Sequence, residues 1–416
     1  MNRNSVSTFV FIMICLVLTV GCSSDTDNQD TAENNRQAQI DKLRTLPYVG
    51  GTKAKASDPT GVTMFDRQRS QQGYNLYSIQ DLCMAKLIDA EGNVINSWSY
   101  SEPGRWEHSE LLPNGDLLVV GALGSVRDLS GPRDPTFDDG RYLLRFDWSG
   151  ALLWKKHFNT HHDIEMTPSG DFLLMSFEWR SGGHRGNSVR ADQLLLLDQN
   201  GTLKTTYSLL DAIRKEGSGF ELNRVEPKKT RKRSTIDLLH SNSVEWMVDP
   251  ALAERHDLYD LNHILVCFRH QDRVAVFDWD TETVVWSWGQ GELSGPHDAH
   301  TLANGNILIF DNGLQSFRSR IVEVDPMTDT IVWQYVADPP RSFYTQSKGS
   351  VQRLPNGNTL ISESNKGHGF EITPEGEVVW DYISPNMLNK KNRAAIVRMT
   401  RFPESFVEAI LKAHSQ

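Results

Sequence analysis

Residues 144–154 read LRFDWSGALLW: a strand-like run, an Asp, a tight turn carried by Ser and Gly, and a second run closing on Trp154. Alternating apolar residues broken by a short Gly- or Asp-containing turn are the signature of a β-hairpin. The same phrase recurs at 87–98 (LIDAEGNVINSW), 275–286 (AVFDWDTETVVW), 322–333 (VEVDPMTDTIVW) and 370–380 (FEITPEGEVVW), with a degenerate copy at 195–207 (LLLDQNGTLKTTY). Between these lies a second phrase, at 110–121 (ELLPNGDLLVVG), 165–177 (EMTPSGDFLLMSF), 301–313 (TLANGNILIFDNG) and 352–364 (QRLPNGNTLISES). A fifth copy near 244–268 is split by an insertion. Two hairpins, hence four strands, recur about every 50 residues, the size of one propeller blade.

Six copies predict an all-β chain, a six-bladed β-propeller with four-stranded antiparallel blades. The strand near 74–84 is expected to complete the ring beside the last blade. The expected boundaries are a propeller over 51–400, insertions at about 211–235 and 250–261, and a short amphipathic C-terminal helix within 401–416. The two insertions read as solvated loops, the first carrying six basic residues between Arg224 and Arg233 that could steer anions. Turn-opening Asp147 and Asp325 should bond turn backbone, and the period-marking Trp residues should pack between blades.

The 416 residues carry 43 Lys+Arg against 53 Asp+Glu, a net charge of −10, which argues against a nucleic-acid partner. Four Cys are too few for a disulfide scaffold. Residues 1–21 have the charge, apolar run and small-residue end of a secretory signal. The following 22–50 are polar and acidic, as in a disordered tether. Cys15 leaves with the signal and Cys22 stands directly after it, so Cys83 and Cys267 are the pair left within the fold, as one disulfide or two free thiols.

The thirteen His are distributed unevenly. His108, His162, His240 and His297 each fall just ahead of the second phrase; His162 and His297 stand six residues before its turn, His108 five. Equivalent positions in a repeat are equivalent in space, so these rings should gather at one end of the central channel. His240 lies in HSNSVEW with Asn242 two residues on, on one strand face. Arg269 ends an apolar strand in FRHQD, and His297 lies in GPHDAH beside Asp298 and His300. Imidazoles, a guanidinium and an amide suit a tetrahedral oxyanion such as sulfate or phosphate. A metal-dependent hydrolase or lyase is the rival use of the histidines, with weak spacing support, and a non-catalytic exported scaffold is the other.

At GPHDAHTLANGNILIFDNG, HSNSVEW and FRHQD the sequence resembles the bacterial arylsulfate sulfotransferase family, over roughly residues 85–385. The resemblance implies transfer of a sulfuryl group from a phenolic sulfate ester to another phenol, with no nucleotide donor and no cofactor, through a covalent sulfohistidine. It implies His297 as nucleophile, with His240, Asn242, Arg269 and His162 in support. His161 is the adjacent alternative to His162, and His108 and His300 are additional candidates. No metal ligand set is implied. Trp106, Phe177, Trp246 and Phe343 are candidates for an aryl wall, each with ordinary core packing as its alternative. The end of the signal, LTVGC, is similar to a lipoprotein lipobox, which implies lipidation of Cys22. Ser23 and Ser24 then point to the outer membrane, with the protein facing periplasm or cell surface.

Overall fold

The computed structural model describes residues 51–415 except 56, 103, 124–139, 185–186 and 230–233. The signal, the tether, Cys22 and the end of the basic run lie outside the described residues.

The chain is mostly β, and six of its sheets are built on four-stranded antiparallel meanders. Sheet I joins Ile396–Phe402 to Tyr74–Ile79, Met84–Ile88 and Val94–Ser99. Sheet II runs Gly104–Leu111, Leu117–Leu123, Arg141–Phe146 and Leu152–Lys156. Sheet III runs Thr160–Met166, Phe172–His184, Asn187–Leu197 and Leu203–Ser208. Sheet IV comprises Ser241–Trp246, His263–Phe268, Arg273–Asp278 and Thr283–Trp288. Sheet V comprises Asp298–Thr301, Ile307–Asp311, Arg320–Asp325 and Thr330–Tyr335. Sheet VI comprises Ser350–Arg353, Thr359–Glu363, His368–Ile372 and Val378–Ile383, with Gly61–Phe65 added at its outer edge. A small three-stranded sheet joins Gly51–Lys53 to Asn392–Ala394 and Met387–Asn389. Tyr74–Ile79 pairs antiparallel with Ile396–Phe402, so the two ends of the repeat array meet in one sheet.

The first strand of each sheet touches that of the next, and the contacts close in a cycle from II through VI and I back to II. This is radial packing around a channel, the β-propeller arrangement. A first strand has one edge with no sheet partner, and its backbone N–H groups need acceptors. Side chains of the preceding first strand supply them. The amides of Val244 and Trp246 donate to Asp163 and Glu165, and those of Ala299 and Thr301 donate to Ser243 and Glu245. Val351 N–H donates to Asp298, while Met399 and Arg401 N–H donate to Ser350 and Gln352.

Five of the six period-marking aromatics, all but Trp154, do the same at the rim. The indole N–H of Trp98 donates to the Asp147 carbonyl, Trp286 to Asp329, Trp333 to the Pro374 carbonyl and Trp380 to that of Ala90. The degenerate copy keeps the bond, with the Tyr207 hydroxyl donating to the Asp278 carbonyl. Each aromatic thus ties its own sheet to a turn of the next. Asp147 and Asp325 accept turn amides, and Gly150 supplies the left-handed φ of 85° that the turn after Asp147 requires.

Both insertions are anchored, which corrects the solvated-loop expectation. The first opens in α1 (Leu209–Arg214), whose Leu209, Leu210, Ala212 and Ile213 are buried, and Phe220 packs edge-on against Phe268. It ends in Ser234–Asp237, which pairs in parallel with sheet III. The second holds α2 (Pro250–Ala253) and buries Leu252, Leu258 and Tyr259 against sheets IV and V. Their apolar residues are too few for a periodic signal yet enough to dock. The C-terminal α3 (Glu404–Ala413) buries Val407 and Ile410. His414 beyond it stacks on Trp148, with ring centroids 5.8 Å apart. Cys83 and Cys267 are both buried and free.

Candidate active site at one end of the channel

Three of the inner strands are irregular where they reach this end. Register shifts fall between Trp106 and His108, Thr160 and Ile164, and Ser241 and Ser243. His162 and His240 adopt left-handed φ values of 57° and 50°. Bulges re-aim side chains, and strained φ values persist only where surrounding contacts hold them. His240 therefore precedes its strand, and simple alternation with Asn242 is not what orients it.

The structure brings His161, His162, His240, Arg269 and His297 together, with His270 added. The His162 ring lies 5.0 Å from that of His240, which lies 4.5 Å from that of His270. Arg269, His162 and His240 all act electrostatically on His297. All of these side chains are buried except that of His162, which is half-buried.

The hydrogen-bond network assigns the tautomers. Asn312 donates from Nδ2 to the carbonyls of Thr345 (2.7 Å) and Lys348 (2.8 Å), so its Oδ1 faces His297 Nδ1 at 2.6 Å. The carbonyl of Gly295 also faces that nitrogen, at 3.2 Å. Nδ1 of His297 therefore carries the proton, and the lone pair is on Nε2. His240 Nδ1 donates to Asp237 Oδ2 at 2.5 Å, and His270 Nδ1 donates to the Asp237 carbonyl at 2.6 Å. His161 donates from Nε2 to the Ser176 carbonyl at 3.2 Å. Its Nδ1 then accepts from His162 Nδ1 at 2.9 Å. His162, His240 and His297 thus all hold their lone pairs on Nε2.

Burial, reinforced by Arg269, holds His297 well below the ordinary imidazole range; burial likewise lowers His161 and His162, and brings His240 to about 3. All four are neutral at pH 7. Asp237, despite its burial, is held low by Arg190 and His240, and Glu107 by Arg141 and Arg105. Glu107 Oε2 also accepts the His162 amide at 3.2 Å. Burial lowers the Lys348 ammonium to about 7.

Asp237, His240 and His270 hold ligand-type atoms within 4.8 Å of one another, a geometry a metal could use. Two guanidiniums stand against that: Arg190 Nη1 donates to Asp237 Oδ2 at 3.2 Å, and Arg269 Nη1 lies 3.1 Å from His270 Nε2. Permanent cations in contact with the set disfavour a further cation and favour an anion. Asn242 gives its Nδ2 to the carbonyl of Pro296 at 3.0 Å, so the amide fixes the residue before His297 and has one further N–H to offer.

His108 and His300 lie elsewhere, among the residues lining the channel below, with Asp163, Asp298 and Arg398. The repeat arithmetic explains His108: six residues before its turn stands Glu107, which does reach the site, and the next residue on a strand faces the other way. Trp106, Phe177 and Phe343 are fully buried core residues. Phe177 supports the site from behind, under the Arg190 guanidinium at 4.4 Å and against His161. Trp246 is partly buried, its indole N–H spent on the Leu261 carbonyl. Asn312, Asp237, His270, Glu107 and Lys348 escaped the sequence reading. Only Glu107, by the six-residue rule, left a signal there.

Among solved structures, a protein of unknown function from Bacteroides caccae aligns at TM-score 0.49 and 12% identity, over 79% of this chain and all of that one. The β-propeller domain of Cps50 (Swd1) from Myceliophteria thermophila aligns at TM-score 0.41 and 12% identity, over 79% and 89% of the two chains. A catalytically inactive virginiamycin B lyase from Staphylococcus aureus aligns at TM-score 0.43 and 9% identity, over 81% and 92%. No curated protein matches the chain. The profile of the arylsulfotransferase (ASST) family matches residues 138–385, a span that carries His161, His162, Asp237, His240, Asn242, Arg269, His297 and Asn312, and the chain belongs to that family.

Proposed function

We propose that the protein moves a sulfuryl group from a phenolic sulfate ester to a phenolic acceptor through a sulfohistidine on His297, in the channel of a six-bladed propeller. The observation that carries this reading is the Asn312–His297 hydrogen bond, which leaves the Nε2 lone pair of a neutral imidazole among Arg269, His162 and His240. The six-blade reading is supported by the closed cycle of six first strands.

Nε2 attacks sulfur, the S–N bond forms and the S–O(aryl) bond breaks. Arg269 faces the sulfuryl oxygens, whose charge it stabilises as a fixed guanidinium. The departing phenolate needs a proton. His162 and His240 hold lone pairs at Nε2 and have no proton to give there, but an anionic ester beside them raises their affinity for one. Asp237 under His240 favours the imidazolium, so His240 is the candidate acid. The incoming phenol returns a proton to the same group and attacks sulfur, restoring His297. The lipid anchor on Cys22, export and an outer-membrane address remain part of the proposal, supported by residues 1–24.

Incubation of purified protein with a chromogenic aryl sulfate, with and without a phenol acceptor, tests the reading. Acceptor-dependent phenol release and an acid-labile sulfated histidine formed from donor alone are expected. Full turnover by His297→Asn would sink it.

A further inference from the structure

Below the site the channel opens into a separate cavity of about 310 Å³, lined by residues from the first strands of all six sheets. Arg398 crosses its top, donating to both oxygens of Asp163 at 3.3 and 3.2 Å and to Asp298 Oδ1 at 3.1 Å. Five carboxyl groups line this cavity: Glu110, Asp163, Glu165, Glu245 and Asp298. The cations on the same wall do not balance them. Arg398 serves Asp163 and Asp298, His300 is held protonated between Asp298 and Glu245, and Arg353 is committed outward to Glu323 at 2.7 Å.

Four of the five carboxylates accept backbone amides of the next strand, which accounts for their presence but not for the excess charge. Glu110 makes no such bond. Burial lifts its carboxyl to about 7, and burial with the neighbouring Glu245 lifts Glu165 well above the usual range.

A second observation points to a ligand. His108 is 2% exposed and lines this cavity, yet neither ring nitrogen makes a hydrogen bond; its Nε2 lies 3.5 Å from both Glu110 and Asp163. Burial brings its pKa to about 4, so the ring is neutral, with one nitrogen a donor and the other an acceptor. Thr301 Oγ1, on the same wall, is buried and also unbonded. The cavity therefore presents a cluster of carboxyl groups together with buried polar atoms that no protein group satisfies.

We infer that this cavity binds one hydrated divalent cation of the Mg²⁺ type. The carboxylates do not converge as a direct ligand set, since no three of these ligand atoms lie within 4.8 Å of one another among the described residues. A cation that keeps its waters fits that spacing, because its shell is made of donors and the wall of acceptors. The volume is ample for an ion and its first shell of waters.

The test is titration of purified protein with MgCl₂ at pH 7.5 and low ionic strength, read by calorimetry and by the shift in Tm. The variants are Glu110→Gln, whose side chain holds no backbone group, and Thr301→Val. Wild type should bind one Mg²⁺ saturably with a rise in Tm, and each variant should weaken binding at least about threefold while keeping its metal-free Tm. Absence of saturable binding overturns the proposal, as does equal binding by Glu110→Gln. Ca²⁺ binding tenfold tighter than Mg²⁺ would overturn the hydrated-ion form, because it would mean direct ligation. The sulfuryl-transfer assay should be unchanged in both variants, which keeps this outcome separate from that of the active site.

Discussion

Asn312 and His297 sit on neighbouring strand ends of sheet V, and the amide oxygen of one accepts the Nδ1 proton of the other at 2.6 Å. Because the Asn312 Nδ2 group is spent on the Thr345 and Lys348 carbonyls, the amide cannot turn, and the imidazole has one tautomer. Asn312→Leu removes that constraint and should lower kcat/KM by at least about tenfold, the scale of lost ligand-orienting partners. Asn312→Asp places a carboxylate there, raises the proton affinity of His297 and should move the acidic limb of the pH–rate profile upward. An unshifted profile with full activity would contradict the role given to Asn312.

Neutral His162 and His240 with lone pairs on Nε2 make a testable statement about binding. An anionic ester needs donors, so its binding should take up a proton at pH 7 and weaken as pH rises. Calorimetry in buffers of different ionisation enthalpy reads the proton count directly. Asp237→Asn should reduce the uptake, since that carboxylate is the partner of His240. Zero uptake in the wild type would exclude histidine as the acid.

Arg269 is buried, and its guanidinium contacts His270 Nε2 at 3.1 Å. Arg269→Lys keeps the charge but loses the planar fork, so it should cost about 10²–10³ in kcat, as removal of an oxyanion donor does. A steady-state comparison at saturating donor checks this, with KM expected to move less than kcat.

Arg398 holds Asp163 and Asp298 at the top of the lower cavity, and those two carboxylates each accept an amide of the next sheet. Arg398→Met leaves buried carboxylates without their cation and should destabilise by about 3–5 kcal/mol in urea unfolding. Arg398→Met combined with Asp163→Asn should recover part of the loss.

His368 is clamped between Glu363 and Asp381, at 3.0 and 2.6 Å, and against the cost of burial these bonds raise it to about 9. A raised folded pKa gives stability that is full below the unfolded value of about 6.5 and is lost as pH rises through 9. The gap in unfolding free energy between wild type and His368→Gln, roughly 1–3 kcal/mol at pH 6, should shrink by pH 10. Glu363 also accepts the Tyr344 amide, so the clamp steadies the loop that carries Thr345 and Lys348.

Hairpins, turns and the rim aromatics were legible because they are local. A Trp at the end of LRFDWSGALLW-type phrases follows a period, and even Tyr207 keeps the bond that the period demands. His162, His240 and His297 were legible as a group because a repeat converts equal sequence position into nearness, although the same reading included His108, which lines the channel below; the role of Arg269 came from the family resemblance. The partners that set their chemistry were not. Asn312 reads as one more turn residue in FDNG, and Asp237 and His270 belong to no period. Glu107 and His108 differ by one residue, and a one-residue step on a strand sends one side chain to the candidate site and the other to the channel below. The sequence by itself determined the all-β repeat and most of the histidines that gather, though not that His108 stays out and His270 joins. Only the tertiary structure decided which nitrogen of each carries its proton, because tautomer and pKa depend on burial and on acceptors brought in from distant parts of the chain.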